Sequence, residues 1–299
     1  MTPVRRIVPW FVWWTVMGGF MALTLWLADG EMPSPELVMA LTVGNTLFVA
    51  AFEQLLPRRD HTNLFRDPQV LRDLAHGMTL AFAARPLAAG ASLAAVAALA
   101  PHIALAHLWP TGLAMPAQVV LLLLLWSLAS YALHRAFHVY EPLWRFHAIH
   151  HDTTGHMHIL KAGRVHFGEE LLRYVLLPTP LLLIGVPGEA FIWLGLWNLY
   201  EGNLAHSNIE QRMPRFAHYV FATLQVHYLH HGAQFENQRS NYAGVTPLWD
   251  LIFGTFRHPD DYPVASVGIG GEALPSTLVG QLAHPFRRTH EGQEQAFAG

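Results

Sequence analysis

Residues 121–138 read LLLLLWSLASYALHRAFH, an apolar run that feeds directly into two histidines four residues apart, His134 and His138. Continued as one helix, a span at about 117–133 carries both imidazoles down one face at its end. After a turn at Glu141-Pro142 comes Leu143-Trp144-Arg145-Phe146-His147-Ala148-Ile149-His150-His151, and the same His-x-x-His-His pattern returns at His227, His230 and His231. Residues three and four apart share a helix face, so each cluster is expected to aim two or three imidazoles at one point. Eight imidazoles exceed the needs of one tetrahedral ion and suit two, which makes a dinuclear metal site the first expectation.

The composition frames that site. Of 299 residues, 52% are hydrophobic and only 13% charged, against roughly 25% charged in a soluble domain, so the chain is expected in a membrane. Its 20 histidines outnumber 18 lysines and arginines together, and Lys161 is the only lysine. The absence of cysteine excludes disulfides and thiolate ligands and leaves nitrogen and oxygen donors for any metal. A net charge of -3 offers no broad basic face, so nucleic acid is not an expected partner.

Four apolar stretches, about 8–28, 37–56, 76–108 and 117–133, are candidate spans, with Pro86 and Pro101 expected to bend or break the third. The run from Trp10 to Ala28 is long for a signal peptide and reads as a retained anchor, with Trp10, Trp13 and Trp14 as an interfacial belt. Arg5 and Arg6 precede the first span; Arg58, Arg59, Arg66 and Arg72 follow the second; Arg135 and Arg145 follow the fourth. By the positive-inside rule these ends are cytoplasmic, and His134 and His138 lie at the cytoplasmic interface.

A fifth apolar region, about 171–200, is interrupted by Pro178, Pro180 and Gly185-Val186-Pro187-Gly188. A single crossing there would put the two His-x-x-His-His motifs on opposite sides of the bilayer, so a re-entrant helical hairpin is expected. The expected fold is therefore all-α and integral to the membrane: about four transmembrane helices, the hairpin, and a cytoplasmic helical cap holding the dimetal site. One domain covers 1–299, with N-terminal spans over 1–116, a catalytic region over 117–258 and a Gly/Pro-rich tail over 259–299.

Several of these segments together resemble the fatty acid hydroxylase/sterol desaturase superfamily. They are His134-Arg135-x-x-His138, Leu143-Trp144-Arg145-Phe146-His147-x-x-His150-His151, His227-x-x-His230-His231, Asn241-Tyr242-x-Gly244 and Trp249-Asp250-x-x-Phe253-Gly254-Thr255-Phe256. The resemblance covers about 117–258 and implies a di-iron center held by histidines, O2 as oxidant, and hydroxylation or desaturation of a lipid. Carried over by position, it makes the eight clustered histidines iron ligands and adds His166 and His206, although many relatives have His-Pro where this chain has His166-Phe167. Asp152 and Asp250 are expected to hold ring N–H groups. His156, His158 and His218 are read as outer or surface groups. His61, His76, His102, His107, His258, His284 and His290 are read as structural or solvated. Lys161, Arg164 and Arg239 are read as interfacial anchors.

Two other classes compete. A zinc or copper transporter needs polar ligands near the bilayer midplane, where the spans hold little beyond Arg85, Asn45 and Glu53. A di-zinc lipid hydrolase would ordinarily place carboxylates among its ligands, and none lies inside the histidine clusters. No nucleotide, heme or iron–sulfur motif is present, so electrons are expected from a separate reductase, ferredoxin or cytochrome.

Overall fold

Helices supply the regular structure of the described residues, and only two isolated bridges, Pro57 with Ile209 and Gly232 with Val267, have β character. The computed structural model describes residues 3–59, 64–269 and 274–287; His61 and His290 lie outside them. The N-terminal pair α1 (Pro3–Trp10) and α2 (Trp14–Ala28) is bent by 53°. It is followed by α3 (Pro35–Leu55), α4 (Val70–Leu99) and α5 (Met115–Val139). These last three are each long and apolar enough to cross a membrane, and the bent pair makes a fourth span if taken as one. Large apolar side chains such as Leu25, Val43, Leu47, Phe82, Leu93 and Val120 project outward from them. A belt of that kind is stable against lipid and costly against water, so this is a membrane protein.

Local sequence sets the ends of these helices. Ser34 caps α3 by accepting from Leu37 N, with Pro35 in its first turn. The third span stops at Leu99, just before Pro101, instead of running to 108. Pro86 lacks the N–H that would bond back one turn, and α4 absorbs the loss as a π-helical turn at Leu80–Ala84. Trp13 belongs to the core instead of the expected belt: it is 6% exposed and packs on Phe221 at 4.2 Å, whereas Trp10 and Trp14 are exposed.

Of the remaining helices, α6 (Glu141–His151) follows α5 directly; α7 (Phe167–Leu176), α8 (Pro178–Leu183) and α9 (Gly188–Ala205) cover the fifth apolar region; α10 (Leu224–His230) and α11 (Leu248–Ile252) come after it. The turn between α8 and α9 lies against the loop joining α4 to α5, where Trp109 N donates to Ile184 O at 3.0 Å. Gly185 has φ 95°, and a Cβ there would fall 2.2 Å from Ala106 O, so this approach requires glycine. At the other end of α9, His206 meets His150. α9, with 18 residues and about 27 Å of helix, thus joins the level of the loop between α4 and α5 to the histidines.

Three polar groups within the spans are pins. Asn45 accepts from Asn203 Nδ2 at 2.9 Å, Glu53 accepts from Ile159 N and Asn208 N at 3.1 Å each, and Arg85 pairs with Glu170 at 2.6 Å. Each of the three fastens one helix to another segment.

Candidate metal centre

Nine histidines fall into two groups, within each of which one ring nitrogen from every histidine lies within 4.8 Å of the others. One group is His134, His138, His147, His151 and His230; the other is His150, His206, His227 and His231. The two adjoin, since the rings of His151 and His231 stack at 4.4 Å.

Each His-x-x-His-His motif is divided between the groups, two imidazoles to one and one to the other, so the lower of the expected two or three share a point. At about 100° per residue, His147 and His151 stand some 40° apart, whereas His150 lies some 60° to the other side of His147. The same holds for His227 and His231 against His230. Thus α6 gives two imidazoles to the first group and one to the second, and α10 does the reverse. His134 and His138, on the last turns of α5, complete the first group; His206, which caps the C-terminus of α9, completes the second.

The tautomers follow from what the other ring nitrogen touches. Nδ1 of His134 faces Tyr242 O at 2.7 Å, that of His230 Ser240 O at 2.7 Å, that of His150 Arg164 O at 3.2 Å and that of His206 Gly202 O at 2.8 Å. Nδ1 of His147 faces Glu169 Oε1 at 2.9 Å. A carbonyl can only accept, so the proton sits on Nδ1 and Nε2 is left with a bare lone pair. Yet these Nε2 atoms point at one another. His134 lies 3.0 Å from His147 and 3.1 Å from His230, and His150 lies 3.1 Å from His206. Two lone pairs at that distance repel, and a shared cation is what makes such an arrangement favourable. His151 and His231 are fully buried; neither ring nitrogen of His151 has a partner, and His231 Nε2 meets only His227 Nε2, at 3.0 Å, which adds to the demand.

Burial first, and then the neighbouring imidazoles, hold His147, His150, His151, His227 and His231 well below the ordinary histidine range; burial holds His230 at about 4. Neutral imidazole is the ligating form, so these side chains fit a pair of transition-metal ions.

A matching family model, fatty acid hydroxylase, covers residues 119–255. The ornithine lipid hydroxylase OlsE of Rhizobium tropici is 34% identical over 244 residues, which are 80% of this chain and 72% of that protein. The chain belongs to the fatty acid hydroxylase family. Other relatives match over a smaller share of the chain. Alkylglycerol monooxygenase of Danio rerio is 27% identical over 45% of this chain and 29% of its own length. The very-long-chain aldehyde decarbonylase GL1-6 of Oryza sativa subsp. indica is 32% identical over 42% and 20%. No solved structure matches.

Within this family framework, the structure separates the ten expected ligands. His166 stands outside both groups: its Nδ1 accepts from Gly168 N at 2.8 Å, capping α7, and its Nε2 lies 3.0 Å from Leu282 O. The local geometry of a helix start claims it, so nine histidines converge instead of ten.

The two aspartates also act differently from expectation, because neither touches a ring. Asp152 accepts from Arg164 Nη2 at 2.8 Å. Asp250 accepts from Tyr242 N and Ala243 N at 2.9 Å each, and from Thr255 Oγ1 at 2.6 Å. It thereby fixes the loop whose Tyr242 carbonyl orients His134.

The carboxylate on a ring is Glu169, which the sequence reading passed over. The signal for it was slight: two adjacent acids, Glu169 and Glu170, opening an otherwise apolar stretch.

Lys161 and Arg164 are not interfacial anchors. Both are fully buried: Lys161 Nζ lies 2.6 Å from Asp67 and 2.8 Å from Asp73, and Arg164 reaches Asp73 at 2.7 Å and Ile149 O at 3.1 Å. His158, also fully buried, bonds Asp67 at 2.9 Å. His218 is buried too, its Nδ1 2.8 Å from Thr223 Oγ1.

Proposed function

We propose that this chain is a di-iron oxygenase that hydroxylates a C–H bond of a membrane lipid, with O2 as oxidant and electrons from a separate reductase, ferredoxin or cytochrome. The observation that carries the reading is the convergence of bare Nε2 lone pairs at two adjoining points. Five imidazoles around the first point exceed the four positions of an ordinary zinc site. The names of relatives, an ornithine lipid hydroxylase and an alkylglycerol monooxygenase, favour oxygen insertion over desaturation. The balance is R–H + O2 + 2 electrons + 2 protons giving R–OH + H2O.

His134, His138, His147, His151 and His230 would hold one ion, and His150, His206, His227 and His231 the other. A bound iron pair would supply the O2 chemistry that imidazoles and carboxylates lack. The chain's own groups do the rest. Carbonyls of Arg164, Gly202, Ser240 and Tyr242, with the Glu169 carboxylate, fix the tautomers and ring planes. Burial excludes water from the reacting end of the lipid.

The site belongs on the cytoplasmic face. Arg58 N and Arg59 N bond to Asn208, two residues beyond His206, so the arginine-rich loop and the histidines share one end of the bundle. The hairpin enters from that face, reaches the level of the loop between α4 and α5, and returns, keeping both motifs on one side.

Metal analysis of the purified protein, with turnover under 18O2, tests this. The expected result is two irons per chain and one labelled oxygen in a lipid product; zinc alone with O2-independent turnover overturns it.

A further inference from the structure

The hairpin carries an acid that the metal reading does not use. Glu201 lies in the last two turns of α9, half-buried, and makes no hydrogen bond or ion pair among the described residues. Its direction follows from helical spacing: Leu194, Glu201 and Ala205 share one face, and Leu194 joins Leu122 of α5 in a buried cluster. Glu201 therefore faces the interior between α9 and α5, about 7 Å along the axis below His206.

Two other polar groups bear on it. Ser127, on the α5 face that also carries Tyr131, His134 and His138, is fully buried, and its Oγ has no partner. Arg173, one turn below Glu169 on α7, makes only a loose 3.5 Å contact with that carboxylate. It is also the charged group whose field reaches Glu201.

An acid without a partner between membrane helices is expensive, and such residues mark where a substrate brings the compensating charge. A carboxylate on α9 and a guanidinium on α7, near enough for their charges to interact, complement a headgroup that carries both an ammonium and an acidic oxygen.

We propose that Glu201 is the headgroup receptor of this enzyme: its carboxylate pairs with the ammonium of an amine-bearing lipid, while Arg173 takes an acidic oxygen of the same headgroup. The proposal rests on the lipid-oxidising reading of the adjoining histidines and deepens it. A lipid held there presents carbons close to its headgroup to the metal-binding end, in preference to the middle of its acyl chains.

The test uses the metal-loaded protein in vesicles of phosphatidylglycerol. These are doped equally with three lipids of matched chains: an amino-acid lipid with free amine and carboxylate, its N-acetylated form, and phosphatidylethanolamine. Retained lipid is counted by mass spectrometry after repurification. The free-amine amino-acid lipid should be retained about tenfold or more over its N-acetyl form, the scale of one charge-assisted pair. Glu201→Gln should erase that preference with metal content and thermal stability unchanged. Phosphatidylethanolamine retained as well as the amino-acid lipid would assign recognition to the ammonium and a phosphate oxygen, which also supports the receptor.

Equal retention of the free and acetylated lipids by the wild-type protein overturns the proposal without any variant, as does an unchanged preference in Glu201→Gln. The two readings fail separately. An iron- and O2-dependent enzyme with no amine preference sinks only the receptor, whereas a clear amine preference in a zinc protein sinks only the oxygenase.

Discussion

The histidine groups and the aspartate cluster beside them are both buried and both built from metal-ligating side chains, yet they balance charge in opposite ways. In the cluster, Asp67, Asp73 and His158 lie close enough to hold an ion, but Lys161 Nζ already sits between the two carboxylates and Arg164 binds Asp73 from the other side. The cation is part of the chain. In the histidine groups nothing of opposite sign lies at the convergence points, and the tautomers imposed by surrounding carbonyls turn lone pair toward lone pair. Proximity of ligand types thus says little by itself; what separates a metal site from a structural ion cluster is whether the protein supplies the positive charge.

The two regions are also joined. Arg164 pairs with Asp73 and Asp152, takes the Ile149 carbonyl, and offers its own carbonyl to His150. The ion cluster is therefore the rigid backing of α6, one of the helices that carry the metal site.

The contrast can be broken by substitution. The largest effect is expected from His150→Ala or His230→Ala, one from each group: activity should vanish and iron per chain should drop while membrane insertion persists, as read by metal analysis and fractionation. Full activity in either variant would end the two-ion reading. Next is Lys161→Ala, which leaves two buried carboxylates facing each other. A loss of about 3–5 kcal/mol is expected, seen as a collapse in denaturant or thermal stability, with iron per folded molecule retained. If this variant instead stays stable by taking up a third metal, the two regions are alike after all.

Smaller effects sharpen the boundary. Glu169→Ala removes the acceptor on His147 Nδ1 and should weaken metal retention about 10–100-fold in chelator competition, with the fold intact. His166→Ala should leave the iron content unchanged and cost about 1 kcal/mol as a lost helix cap, largely restored by His166→Asn in thermal unfolding. Loss of iron in His166→Ala would return that residue to the ligand set.

Much of this was legible in the sequence because it is local. The apolar length of 121–133 and the three- and four-residue spacings of His134 to His151 and of His227 to His231 are properties of one helix at a time, and they found eight of the nine converging imidazoles. His206 and His166 looked alike in sequence, both flanking the hairpin. They part only because His206 ends α9 beside His150, whereas His166 begins α7 with its ring turned to that helix's own amide.

Lys161 shows the limit most plainly. A lone lysine in a histidine-rich membrane protein reads as an interfacial anchor, and only the fold brings Asp67 and Asp73, from the approach to α4 and its first turns, to enclose it. By itself the sequence determined an all-helical membrane chain with a histidine site at one end, since hydropathy and helical period act over a few turns. The tertiary structure alone decided which imidazoles converge, that Glu169 supports His147, and that Glu201 has no partner among the described residues. Each of those depends on which carbonyl, carboxylate or cation packing brings within about 3 Å, a distance that chain spacing does not encode.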